Sequence, residues 1–327
     1  MSKILVTGGA GYIGSHTVHL LRKSGHEVVV VDDLSRGHRH NVESGEFHQL
    51  RLQDTDALTR VMESGKFESV IHFAAYIAVG ESTKQPELYF DNNVSGSVSL
   101  FRAMDRAGID KVVFSSTAAV YGTPEEVPIR EDAPYAPLSP YGESKIMVEK
   151  ILGWLDQFKG VRSVCLRYFN ACGSEPGTGL GEEHDPETHL IPLLFRAIDT
   201  GKPVTIFGQD YPTPDGSCIR DYVHVSDLAQ AHISAVKWLT AGGGSGRFNV
   251  GTGVGQSVME VLRAVEEVTG SKVPCEVGAR RDGDPPVLVA NSDALQSQLG
   301  WRPEYVDIRH TVATAWEFYL RSRAPKV

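Results

Sequence analysis

Tyr141 and Lys145 stand four residues apart in the segment Ser139-Pro140-Tyr141-Gly142-Glu143-Ser144-Lys145. On a helix, residues i and i+4 lie on one face a turn apart, so the lysine ammonium can reach the phenol. A cation there favours tyrosinate. A phenol that titrates near pH ~10 in water is then expected to move toward neutrality, where it can take a proton from a substrate hydroxyl. Most such pairs are solvated neighbours on helix surfaces, so the pair gains its meaning from what accompanies it.

What accompanies it begins at the N-terminus. Lys3 to Thr7 reads as a buried parallel strand entering Gly8-Gly9-Ala10-Gly11-Tyr12-Ile13-Gly14, with a helix following through Leu21. Gly9, Gly11 and Gly14 satisfy G-x-G-x-x-G, and Gly8, Gly11 and Gly14 the G-x-x-G-x-x-G variant. Glycines there let the backbone turn tightly and approach a pyrophosphate at the helix N-terminus. The strand Val28 to Val31 ends in Asp32, close to the roughly 20-residue offset at which a carboxylate accepts hydrogen bonds from an adenosine ribose. That favours NAD over NADP, since a carboxylate repels a 2′-phosphate. Arg36 and Arg39 read as a basic surface loop. An oxidised nicotinamide beside Tyr141 would add to the pull of Lys145 on the phenol.

These elements need a scaffold of matching size. The chain has 327 residues, enough for two lobes, with 41% hydrophobic and 22% charged residues, ordinary for a globular protein. A net charge of −9 and the lack of a basic patch argue against nucleic acid and anionic membrane as partners. Cys165, Cys172, Cys218 and Cys275 have no C-x-x-C spacing and read as reduced thiols. No signal peptide and no membrane-length apolar stretch is recognisable, so a cytoplasmic location is expected. No histidine cluster has metal-ligand spacing, and no metal is expected.

Apolar runs at Ser69 to Phe73, Lys111 to Phe114 and Ser163 to Leu166 alternate with helical patterns. This predicts βαβ units in an α/β fold: a doubly wound parallel (Rossmann) sheet with a second, smaller mixed α/β lobe. Ligands of such sheets bind beyond the carboxyl ends of the strands. Those ends are His72-Phe73-Ala74-Ala75, whose small residues let a cofactor pass closely, then Ser115-Ser116-Thr117, and Arg167-Tyr168-Phe169-Asn170. Asp54 is placed to reach an adenine or, equally well, to cap a helix. The predicted boundaries are 1–166 plus about 220–250 for the dinucleotide domain, and about 167–219 plus 251–327 for the substrate lobe.

In sequence order, T-G-G-A-G-Y-I-G-S-H at Thr7, H-F-A-A at His72, V-G-E-S at Val79, D-N-N-V at Asp91 and S-S-T-A-A-V-Y-G at Ser115 precede four further motifs. These are S-P-Y-G-E-S-K at Ser139, R-Y-F-N at Arg167, D-Y-P-T-P-D-G at Asp210 and R-D-Y-V-H-V at Arg220. Over nearly its whole length the chain thus resembles the UDP-galactose 4-epimerase family of extended short-chain dehydrogenase/reductases. The resemblance implies an isomerase that keeps NAD bound, oxidises C4 of a UDP-sugar, lets the 4-keto sugar swing about its link to the diphosphate, and returns the hydride to the other face. UDP-galactose and UDP-glucose are the implied substrates. A sugar-nucleotide 4,6-dehydratase would resemble T-D-E where this chain has Thr117-Ala118-Ala119. A net dehydrogenase and a non-catalytic dinucleotide sensor are the other rivals.

The resemblance also implies residue roles. Tyr141 is the base, Lys145 its electrostatic partner and a ribose contact, and Thr117 the hydroxyl bridging base and sugar. NAD is implied to meet Gly8, Gly11, Tyr12, Ile13, Gly14, Asp32, Asp54, Phe73, Ala74, Asn92, Lys145 and Tyr168. On the substrate side Asn170 meets the diphosphate, Leu190 and Phe207 flank the uridine, Arg220 and Arg281 neutralise the diphosphate, and Asp284 holds the ribose. Leu288 matches a gate beside the sugar's C2 substituent. Two positions depart from the family: Ile77 stands where a lysine is common, and His189 where an asparagine is. Helices near Glu87 to Ala107 and Tyr141 to Lys159 resemble the pair through which relatives form homodimers.

Overall fold

A computed structural model describes residues 2–42, 45–281 and 283–323. Met1 and 324–327, the outer limits of the expected domain ranges, lie outside the described residues. The first half contains β1 (Lys3–Thr7), α1 (Tyr12–Lys23), β2 (Glu27–Asp32), β3 (Phe47–Gln49), α2 (Thr55–Gly65) and β4 (Ser69–His72). Then come α3 (Val79–Ser82), α4 (Pro86–Tyr89), a π-helical stretch Phe90–Ser95, α5 (Gly96–Ala107), β5 (Lys111–Thr117), α6 (Pro140–Lys159) and β6 (Arg162–Tyr168). The second half contains β7 (Asn170–Cys172), α7 (Leu190–Thr200), β8 (Val204–Phe207), β9 (Ile219–His224), α8 (Val225–Thr240), β10 (Gly246–Val250) and β11 (Gly255–Ser257). It closes with α9 (Val258–Thr269), β12 (Cys275–Gly278), β13 (Val287–Leu288), α10 (Asp293–Leu299) and α11 (Ile308–Arg323).

Seven parallel strands form the main sheet, in the order β10-β6-β5-β4-β1-β2-β3. Successive strand residues bury against opposite faces. Ile4, Val6, Val28 and Val30 join one core, with α1 and α8, while Leu5, Val29 and Val31 join the other, with α2, α5 and α6. Burial on both sides explains why β2 reads as an unbroken valine run rather than an alternation. The expected doubly wound α/β fold is the one observed. Phe47–Gln49, an edge strand of three residues, has too little apolar character to be read in advance.

A second sheet pairs β9 with β7 and β13 in parallel and with β11 antiparallel, and β8 pairs with β12 beside it. Here α7, α9 and α11 supply a third core through Leu194, Phe195, Val261, Val265 and Val312. The chain returns to the main sheet through α8 and β10.

Candidate active site

The carboxyl edge of the main sheet positions the reactive side chains. Thr117 is the last residue of β5, and its Oγ1 accepts the Ala119 N–H at 3.1 Å. Ser139 caps α6, accepting the Gly142 N–H at 3.2 Å, and Pro140 sits in the first turn, where its missing N–H costs nothing. Tyr141 therefore starts α6 near the end of β5, where the Thr117 hydroxyl acts on its phenol. Lys145, one turn on, is 2% exposed. Its Nζ donates to the Ser115 carbonyl at 2.7 Å and lies 5.9 Å from the Tyr141 ring centroid.

The electrostatics differ from the sequence expectation. Burial raises the Tyr141 phenol above its ordinary value, with the Thr117 bond only partly offsetting it. Burial likewise pulls Lys145 down to about 7, against the pull of Glu149. A lysine that itself resists protonation cannot alone bring the tyrosine to neutrality. In the protein alone the phenol is therefore raised rather than lowered, and Thr117, not Lys145, is the group that pulls it down.

Beneath the pair lies a network that sequence reading missed. Glu149 and Arg167, 0% and 1% exposed, form a bidentate ion pair in which the guanidinium donates two hydrogen bonds, of 3.0 and 2.7 Å. Glu149 also accepts from Ser116 and Tyr135, and Arg167 donates to Tyr121. Arg167 and the neighbouring hydroxyls overcome the effect of burial and hold Glu149 below its ordinary range. Asn93 was missed as well: its amide accepts the Tyr76 N–H at 2.8 Å and donates to Tyr76 O and to Ser144, tying the segment after β4 to α6. Its neighbour Asn92, expected at the cofactor, donates to Asn93.

The glycine loop fits a dinucleotide. Gly11 is the N-cap of α1, no side chain caps the helix, and no acidic residue occupies its first turn. A Cβ on Gly8 (φ +74°) would lie 2.5 Å from Ala74 N, and one on Gly14 would lie 2.1 Å from Gly8 O, so the packing of the protein itself demands both glycines. Gly11 is different. Its Cβ would meet nothing nearer than Gly8 O at 3.4 Å, so the space it leaves open over the helix N-terminus suits a phosphate. Ile13 packs on the core behind this loop, and the Tyr12 hydroxyl donates to Gly173 O at 2.6 Å. Asp32, at the end of β2, accepts the Ala10 and Leu34 N–H groups at 3.0 and 2.8 Å. Phe73 follows β4 and packs on His232, whose Nε2 lies 3.1 Å from the Tyr168 hydroxyl. Asp54 caps α2, accepting from Ala57 N at 3.0 Å.

On the other lobe, Arg220 in β9 pairs with Asp284 rather than with its sequence neighbour Asp221. Asp221 instead accepts the N–H groups of Thr252, Gly253 and Ala290. Leu288 faces Arg220 in the β9–β13 register. The Arg281 guanidinium sits 4.1 Å from the Phe207 ring centroid. Leu190 opens α7, and Asn170 opens β7 beside β9.

The pattern of the NAD dependent epimerase/dehydratase family matches residues 4–251. The chain belongs to this family. It is 48% identical over 318 residues to the UDP-glucose 4-epimerase of Lacticaseibacillus casei, covering 97% of this chain and 96% of that one. Among solved structures, the UDP-glucose 4-epimerase of Brucella ovis in complex with NAD superposes with a TM-score of 0.95 at 43% identity, covering 97% of this chain and 98% of that one. The UDP-glucose-4-epimerase of Stenotrophomonas maltophila, with bound NAD and formylated UDP-arabinopyranose, gives a TM-score of 0.95 at 38% identity, covering 99% and 100%.

One further grouping emerges only in three dimensions. Spacing singled out no metal cluster, yet the fold gathers Glu182, His184, Glu187 and His189. The signal was present as E-x-H-x-x-E-x-H, but its loop conformation was not readable.

Proposed function

We propose that this protein interconverts UDP-galactose and UDP-glucose, an isomerase working with an NAD that stays bound. The observation carrying this reading is the Thr117–Tyr141–Lys145 constellation at the carboxyl edge of the sheet whose first turn is built for a pyrophosphate. NAD, held by Gly8, Gly11, Tyr12, Ile13, Gly14, Asp32, Phe73, Ala74, Asn92, Lys145 and Tyr168, supplies a hydride acceptor and donor at C4. Asp54 belongs to that reading at the adenine end. Tyr141 takes the O4 proton through Thr117 and returns it after the sugar has turned, so proton and hydride both balance and net redox is zero.

While the sugar turns, the nucleotide must stay gripped. Arg220 and Arg281 are assigned to the diphosphate, Asn170 beside them, Asp284 to the ribose, and Leu190 and Phe207 to the uracil. The Arg220–Asp284 pair and the Arg281–Phe207 stack support this by holding both guanidiniums on the facing lobe. The same reading divides the chain into an NAD-binding part, 1–166 with about 220–250, and a UDP-sugar part. The pairing of β9 with β7, β11 and β13 supports a seam near the start of α8 within this division.

Met147, Trp154 and Phe158 are exposed along one face of α6, and the Trp154 and Phe158 rings stack at 5.7 Å. This spacing of seven and four residues supports a homodimer through α6. A monomeric mass by light scattering at micromolar concentration would rule it out. No helix among the described residues is long and apolar enough to cross a membrane. The free thiols support a cytoplasmic enzyme. The deciding experiment for the activity is UDP-galactose turnover with no added NAD and no release of reduced cofactor. Dependence of every turnover on added NAD would point instead to a net dehydrogenase.

A further inference from the structure

The segment 182–189 folds a cluster that the epimerisation chemistry does not use. Glu182, His184, Glu187 and His189 each present one ligand atom, and these atoms all lie within 4.8 Å of one another. His189 Nδ1 is 2.7 Å from Glu182 Oε1 and 3.2 Å from Glu187 Oε1. His184 Nδ1 is 3.2 Å from Glu182 Oε1 and 3.8 Å from Glu187 Oε2. Four donors at ~2.0–2.1 Å around a tetrahedral zinc are about 3.3–3.4 Å from one another. The four imidazole–carboxylate distances, 2.7 to 3.8 Å, bracket that length, and because the two to Glu187 go to different oxygens of its carboxylate, that side chain turns one oxygen inward as the ligands close on an ion.

The charges point the same way. The Glu182 and Glu187 side chains are only 8% and 12% exposed, and among the described residues their ion pairs are with these two imidazoles, not with a lysine or arginine. When the imidazoles are unprotonated, as metal ligands must be, one divalent ion would neutralise both sheltered carboxylates. Two imidazole nitrogens and two carboxylate oxygens suit a transition cation, whereas calcium and magnesium prefer all-oxygen sites with more ligands. Four protein ligands also leave no position open for substrate, the arrangement of a structural rather than a catalytic site.

The position gives such an ion something to hold. His189 is the N-cap of α7, whose first residue is Leu190. The His184 ring packs edge-on against Tyr12, at 6.1 Å between centroids, and Tyr12 opens α1. Glu183, between two of the ligands, is bonded by His38 and His40. We propose that Glu182, His184, Glu187 and His189 bind one divalent transition cation, zinc first, which clamps the 182–189 segment between the glycine-loop helix and the start of α7. The proposal goes beyond the epimerase reading and does not rest on it.

The test uses the full-length protein without a polyhistidine tag, exposed to zinc and then gel-filtered, with elemental analysis as readout. About one zinc per chain is expected, falling to under a tenth in the double variant Glu182→Gln, His184→Ala. Cobalt in place of zinc should give the intense visible bands of a tetrahedral ion in the parent and none in the variant. A strong chelator should lower the parent's Tm and zinc restore it. If the variant does not fold, the parent's cobalt spectrum and chelator response decide alone. Zinc far below one per chain in the parent, a weak octahedral cobalt spectrum, or equal zinc in parent and folded variant would each overturn the site. The cluster would then be an imidazole–carboxylate hydrogen-bonded network.

Discussion

Replacing Gly11 by alanine separates what the glycine loop does for the fold from what it does for the cofactor. Gly11 has φ −79° and ψ 176°, an extended conformation open to any residue, and its new Cβ would have only Gly8 O, at 3.4 Å, for company. Loss of chain entropy in the unfolded state should stabilise the variant by ~0.4–1 kcal/mol, and exchanging glycine for alanine at an N-cap should cost a similar amount. The two nearly cancel. At ~2–4 °C per kcal/mol, the Tm of the cofactor-free protein should move by no more than about 2 °C. NAD binding should suffer, because a methyl group over the helix N-terminus pushes the pyrophosphate off its backbone N–H donors. Losing two charge-assisted bonds at ~1.5 kcal/mol each makes about 3 kcal/mol, or more than a hundredfold in Kd. Gly14→Ala is the control with the opposite profile, since its Cβ would stand 2.1 Å from Gly8 O. That clash should lower the Tm of the cofactor-free protein by several degrees. Calorimetric titration of nucleotide-stripped protein with NAD, beside thermal melts without it, reads both quantities. Gly11→Ala protein that binds NAD within threefold of the parent would refute the placement of the pyrophosphate. A Tm loss matching that of Gly14→Ala would show that Gly11 serves packing after all.

Tyr141→Phe removes only the ionisable oxygen and should reduce kcat by about 10³ or more while UDP and NAD Kd values stay within threefold; activity within tenfold of the parent would discard it as base. Thr117→Ala should cost at least about tenfold in kcat, with Thr117→Ser the milder change in the same assay, because only the serine keeps the bridging hydroxyl. Lys145→Met carries a pH signature. The folded protein gives up the lysine proton near 7 while the unfolded chain holds it to about 10.5. Between these values the unfolded state binds more protons, so this group's contribution makes stability rise with pH across that window; below it the lysine is a full burden on the fold. Denaturant melts of the cofactor-free protein should therefore show the variant gaining on the parent as pH falls from 10 to 7. A difference flat in pH would mean that the lysine titrates normally. Leu288→Ser should raise kcat/KM for UDP-N-acetylgalactosamine relative to UDP-galactose by about 5- to 150-fold, the span of ~1–3 kcal/mol. Equal efficiencies for the two sugars in the parent would show that no gate closes there.

The parts of the site that could be read in advance are those written over a few consecutive residues. Tyr141 and Lys145 need only one helical turn to meet, and the glycine loop needs only β1 before it and α1 after it. The resemblance carried roles for distant residues, but not their present partners. Arg220 and Asp284 lie 64 positions apart, and only the β9–β13 pairing makes them neighbours. The adjacent carboxylate, Asp221, accepts three backbone N–H groups instead. Glu149 and Arg167 escaped notice because a lone acid on a helix and a lone base on a strand each look like surface charges until β5, β6 and α6 enclose them. The π-helical stretch before α5 leaves no mark beyond an ordinary helical pattern. It nonetheless holds Asn93 where its amide can bridge Tyr76 and Ser144.

What the spacing could not convey about Tyr141 and Lys145 is the cost of enclosing them. Four residues on a helix suggest a charged lysine activating a phenol, and in water that would follow. In this fold both groups are sheltered, and desolvation disfavours tyrosinate and ammonium alike. Lys145 keeps its place by donating to the Ser115 carbonyl and stays within the field of Glu149, whose own charge is already committed to Arg167. The lysine is thus held in position more firmly than it is held in charge. With the phenol raised by burial, a further positive charge beside it would be needed to favour tyrosinate. An oxidised nicotinamide bound there would supply that charge and its reduced form would not, so on the proposed reading Tyr141, as tyrosinate, would accept the O4 proton most readily opposite the oxidised form. On that reading the burial that lowers Lys145 would tie the proton transfer to the state of the cofactor.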